Sequence, residues 1–138
     1  MTYEEKGTWV YLVVTVATYL GYLVVMASRA RNDLAATPYA APMLWAIGAS
    51  IVLSVVVRIG VEAARPSDDH RADERDRDID RRGERVAAGV LGVGMVGPLA
   101  LALAEAPHFW IANAIYAAFA IGAVVGSAAK LVAYRRGF

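Results

Sequence analysis

The sequence predicts an all-α integral membrane protein, a four-helix bundle with a charged cytoplasmic helix extending into the third span. Two observations predict it. Four apolar runs have the length of a bilayer crossing, and most of the charge is gathered in one segment, "RADERDRDIDRRGER", residues 71–85. Of the 138 residues 58% are hydrophobic, against roughly 45–50% in soluble domains. Mean hydropathy is +0.44. A soluble bundle would show a charged stripe repeating about every 3.6 residues along each helix, and these runs carry none.

Span one is 9–27, "WVYLVVTVATYLGYLVVMA", inside a stretch free of charge from Thr8 to Ser28. A helix of about 20 such residues, rising about 1.5 Å each, covers a hydrocarbon core of about 30 Å. The opening "MTYEEKGT" mixes signs, and the apolar run exceeds the roughly 7–15 residues of a signal-peptide core, so this span is expected to be retained. Span two runs over 42–61, with Pro42 suited to a first turn, where its missing N–H has no helical partner to lose. Spans three, 86–104, and four, 109–133, complete a single membrane domain over 1–138, with a charged loop at 62–85. Pro98 should loosen span three by leaving the Gly94 carbonyl unpaired.

Four spans put both termini and the second loop on one side. That side holds Lys6, Arg58, Lys130, Arg135, Arg136 and every arginine from Arg65 to Arg85; the other holds Arg29 and Arg31. Lysine and arginine bias sets orientation, so both termini are expected to be cytoplasmic and the chain to lie in the cell membrane. Arg58 and Lys130 sit a turn or more inside the span ends and can reach outward along their stems. The segment 71–85 has no strand alternation and reads as a helix running into span three, with Pro66 and Ser67 as turn and cap. Its charges fall three or four apart, so that Asp73 can meet Arg77, Asp78 can meet Arg82, and Glu74 can meet Arg77.

Asp73-Glu74-Arg75-Asp76, followed by Ile79-Asp80-Arg81 and the start of a span, resembles the motif of an uncharacterised group of small bacterial membrane proteins. The arginine- and alanine-rich bias of the whole chain is similar to that of actinobacterial members. The resemblance implies four spans and a cytoplasmic Asp-Glu-Arg-Asp loop, and it brings no activity with it.

Several chemistries lack their residues. There is no cysteine, hence no disulfide or thiolate site. Asp76, Asp78 and Asp80 have the spacing of a calcium loop, but Arg81 and Ala87 stand where that loop needs glycine and a bidentate glutamate. His70 with Asp73 or Glu74 lacks a second nitrogen or sulfur ligand, so no metal or other cofactor is expected. "GVGMVG", 92–97, matches a dinucleotide fingerprint but lies in mid-span, away from the strand that such a motif follows. Nucleic acid is not an expected partner, because the acids of 62–85 outnumber its arginines. No ionisable group lies at mid-depth, where one would mark an ion or proton path. His70 and His108 fall on opposite sides of the membrane and no Ser–His–Asp or zinc-protease pattern occurs, so catalysis is the least supported class.

Small residues mark the helix contacts. Ala114, Ala118, Gly122 and Gly126 repeat at four-residue steps in span four, and Gly89, Gly92, Gly94 and Gly97 crowd span three. In lipid such ridges let helices approach closely, within the bundle or between subunits. Tyr11, Thr15, Thr18 and Tyr22 form a hydroxyl stripe that should face protein. The leading expectation is a non-enzymatic inner-membrane accessory or interaction protein. Asp73, Glu74, Arg75, Asp76 and Arg82 would contact a cytoplasmic protein or a second copy, with the lipid bilayer as constant partner. The alternative is a small self-associating transporter or channel with a path lined by serine, threonine and tyrosine.

Overall fold

The computed structural model describes residues 1–30 and 33–137. Five helices follow in order: α1 (Tyr3–Arg29), α2 (Ala40–Ala64), α3 (Glu74–Gly94), α4 (Val96–Leu103) and α5 (His108–Arg136). α3 and α4 are one crossing interrupted at Met95, four residues after the Leu91 carbonyl that its N–H still meets. The break falls where Pro98 removes the donor for Gly94, as its ring geometry requires. Four helical units are therefore long and apolar enough to cross a bilayer, and the described residues form an all-α, multi-pass membrane architecture.

The bundle has the order α2–α1–α5–α3, with α4 continuing α3 along α5. α2 packs chiefly on α1, and none of its residues is buried. One side of the bundle, between α2 and α5, is consequently open. Apolar side chains such as Leu44, Ile51, Val93 and Leu103 face outward, the arrangement suited to a lipid solvent.

One end gathers the starts of α1 and α3 with the finishes of α2 and α5. Lys6 Nζ lies 3.3 Å from Glu62 Oε2, Arg75 donates to the Tyr134 carbonyl at 3.0 Å, and the Arg135 guanidinium stands 5.6 Å above the Trp9 ring. Arg29 ends α1 at the opposite face; Arg31, counted with it in the sequence, lies outside the described residues. At that face Tyr22, Met26 and Phe109 form a buried cluster, and Tyr22 donates to Asn113 Oδ1 at 2.5 Å.

α3 and α5 run antiparallel in close contact. A Cβ added at Gly126 would stand 2.7 Å from the Ala87 methyl and 3.0 Å from the Gly83 carbonyl oxygen; one at Gly122 would stand 3.3 Å from the Ala87 oxygen. Ala118 is buried and faces Gly94, where a Cβ would come within 3.0 Å. Thus 83 lies across from 130, 87 from 126, 91 from 122 and 94 from 118. Within the chain, Gly89 and Gly97 do not meet α5: a Cβ at either, or at Gly92, meets nothing within 4 Å. The register explains it, because only positions in phase with Gly83 and Ala87 turn toward α5.

Candidate functional site

The charged end is built from the first turn of α3. Asp73 caps it, its side chain accepting from the Asp76 N–H at 2.7 Å, while Asp76 Oδ2 accepts from the Asp73 N–H at 3.1 Å. This reciprocal capping box satisfies two donors that a helix start leaves free. Asp76 is buried, and its Oδ1 accepts from the Tyr134 hydroxyl at 3.0 Å. Burial first, then the hydrogen bond to Asp76, raises the Tyr134 phenol above its usual range. With Arg75 on the Tyr134 carbonyl, two of the five residues expected to contact a partner join α3 to α5, and a third, Asp73, caps α3 itself. Asp73, Glu74, Arg75 and Arg82 are exposed; Asp76 is the buried one of the five.

Two further expectations are corrected. Ser67 does not cap α3, which begins at Glu74. Its N–H and hydroxyl donate to Glu62, at 2.6 and 3.0 Å. Nor do the acids and bases of α3 pair along their own helix: among the described residues no ion pair joins two of its side chains. Asp80 reaches across to Lys130 instead. Ile79, 1% exposed, is buried on the same side as Asp76 and Gly83, and that face turns toward α5. Glu74, Arg77, Asp78, Arg81, Arg82 and Arg85 are exposed, and their three- and four-residue steps place them on the reverse face.

Glu62 latches the second loop. One residue past the apolar run of span two, it meets Ser67, the Lys6 ammonium and His70 Nε2, the last at 2.8 Å; Lys6 also donates to Ser67 Oγ at 2.8 Å and to the Arg65 carbonyl. The Lys6 and Glu62 side chains are only 12% and 16% exposed. The Ser67 N–H is the main reason that the Glu62 carboxyl is lowered to about 2; its burial opposes this, and the Ser67 hydroxyl and Lys6 reinforce it.

Deeper, two cavities meet. The first, of about 270 Å³, is lined by Glu4, Gly7, Ser54, Arg58, Asp80 and Lys130 among others. Arg58 pairs with Glu4 at 3.4 Å and stands 4.3 Å above the Tyr3 ring. Both bases lie across glycines of a neighbouring helix: a Cβ at Gly7 would strike the Arg58 guanidinium, and one at Gly83 would strike the Lys130 stem. The second cavity, of about 670 Å³, lies between α1, α2 and α5, with mostly apolar walls to which Tyr11, Thr15, Thr18, Ser50 and Ser54 also contribute. Buried polar atoms without a partner include Thr15 Oγ1, Ser54 Oγ and Arg58 Nε, all from residues on these walls.

The hydroxyl stripe of α1 is therefore divided. Tyr22 enters the buried cluster, Thr18 donates to the Val14 carbonyl at 2.8 Å, and Tyr11 and Thr15 line cavities. No local pattern marks Glu4, Gly7, Gly83 and Tyr134, because each meets a helix distant in the chain, and Glu62 joins the distant Lys6 to the nearby Ser67 and His70. The Asp73-x-x-Asp76 spacing was the one local signal available. Among the described residues no three histidine, aspartate or glutamate side chains gather as metal ligands. No family model, curated protein or solved structure matches the chain.

Proposed function

We propose that this chain is a non-enzymatic accessory or interaction protein of the bacterial inner membrane, with both termini cytoplasmic. Its contact surface is the exposed face of α3. The observation that carries this reading is the division of that helix: one face is anchored through Asp76, Ile79 and Gly83, and the other presents Glu74, Asp78, Arg81 and Arg85 free of ion pairs within α3. A surface already ordered by its own protein loses little side-chain and backbone freedom on binding. Its charges are graded, acids at the start of α3 and arginines toward the apolar half. A matching partner, whether a cytoplasmic protein or a second copy, carries the reverse gradient. The orientation is supported by the gathering of lysine and arginine at this end.

Photocrosslinking from positions 78 and 81 in native membranes tests the proposal. A discrete protein adduct, weakened by Arg81→Glu, is the expected result; recovery of lipid adducts alone rejects it.

The second reading, a small transporter or channel, is favoured by the cavity open between α2 and α5, whose mostly apolar walls include Tyr11, Thr18 and Ser50. Solute or ion flux in proteoliposomes, abolished by filling that cavity, would support it over the first.

A further inference from the structure

We propose that the two adjoining cavities form one binding site for a bilayer phospholipid whose head carries a phosphate and a primary ammonium. The cavities share Tyr11, Ser54 and Val55, so a polar compartment opens into an apolar groove. Along α2 the groove runs from Met43 to Val55. At about 1.5 Å per residue this is about 18 Å, so an acyl chain laid in the groove from the polar compartment passes the middle of a hydrocarbon core of about 30 Å. The groove walls are mostly apolar, and the open side between α2 and α5 gives a lipid lateral entry.

Charge selects the head. Glu4 and Asp80 face Arg58 and Lys130 in the polar compartment, so its formal charge is balanced. An anionic head would add a negative group beside two carboxylates. A zwitterion instead exchanges partners, its phosphate replacing a carboxylate on Arg58 or Lys130 and its ammonium donating to the carboxylate released. The Arg58 guanidinium and the Lys130 ammonium line the compartment as donors for phosphate oxygens, and Arg58 Nε and Ser54 Oγ are buried beside it without partners. The ammonium needs N–H donors to satisfy Glu4 or Asp80, which a trimethylated head lacks.

Native mass spectrometry tests the site, using the full chain released from nanodiscs that hold equal amounts of phosphatidylethanolamine, phosphatidylcholine and phosphatidylglycerol. One phosphatidylethanolamine per chain is expected to remain bound, about tenfold above either competitor, the ratio that one hydrogen bond to a charged group supplies. Arg58→Gln should reduce retention by about the same factor on the same ground. Ser50→Phe fills the groove from α2 without touching an ionic group, and decides the matter if Arg58→Gln fails to fold. It should expel the lipid while helix content and melting temperature stay at wild-type values. Preference for phosphatidylglycerol, equal retention of all three, unchanged retention in Ser50→Phe, or a second copy crosslinked through position 50 overturns the proposal.

Discussion

Asp76 closes the first turn of its own helix and accepts from a tyrosine fifty-eight residues away, so one carboxylate sets both the start of α3 and its seat on α5. Removing the reciprocal cap with Asp73→Ala should cost about 1 kcal/mol. Thermal unfolding in detergent, with faster amide exchange at 74–77, checks it. Glu105 has the opposite character. It holds φ 53° just after α4, where its N–H meets the Ala102 carbonyl and that of Ala106 meets Leu101. That Schellman closure favours glycine at the left-handed position, so Glu105→Gly should stabilise the chain by up to about 1 kcal/mol, read as a raised melting temperature. For Glu62 the expected carboxyl titration midpoint by carbon NMR is about 2, moving upward in Ser67→Ala. Because the folded value is depressed, the latch contributes stability above the ordinary glutamate range and loses it as pH falls through about 2.

At the scale of elements, the contact between α3 and α5 rests on approach distance. Gly126→Leu places atoms against the Gly83 backbone, which cannot yield as a flexible side chain would, and should destabilise by about 1–3 kcal/mol or more. Gly89→Leu, where a Cβ meets open space, should leave the melting temperature and the oligomer size unchanged. A loss at Gly89 equal to that at Gly126 would mean that the α3–α5 register is not the one described. The same glycines explain how two bases lie inside the span ends: Gly7 and Gly83 leave room for the Arg58 guanidinium and the Lys130 stem, which then reach Glu4 and Asp80. Paired in this way, each base avoids the cost of an isolated charge beside lipid.

Across the whole molecule the charged end is a connected structure, because Glu62, Lys6, Asp76 and Tyr134 join all four crossings' ends directly or through the second loop. The chain has no cysteine, so single cysteines introduced at 2, 78 and 105 report sidedness without background. Positions 2 and 78 should label from one side of the membrane and 105 from the other; any other pattern contradicts the four-crossing topology. By itself the sequence determined the number and length of the crossings, the gathering of bases at one end, the break near Pro98 and the small-residue ridge of α5. These are properties of contiguous residues, and a bilayer reads them locally, by length, hydropathy and charge. Tertiary structure alone decided that α2 stands at the edge with one side of the bundle open, that Gly83 and Gly94 rather than Gly89 and Gly97 meet α5, and that Asp73, Arg75 and Asp76 bind their own chain. Lipid tails are as apolar as the helix faces they cover, so hydrophobicity cannot rank one pairing above another. Close fit and long-range polar partners make that choice, and neither is written in any one stretch of sequence.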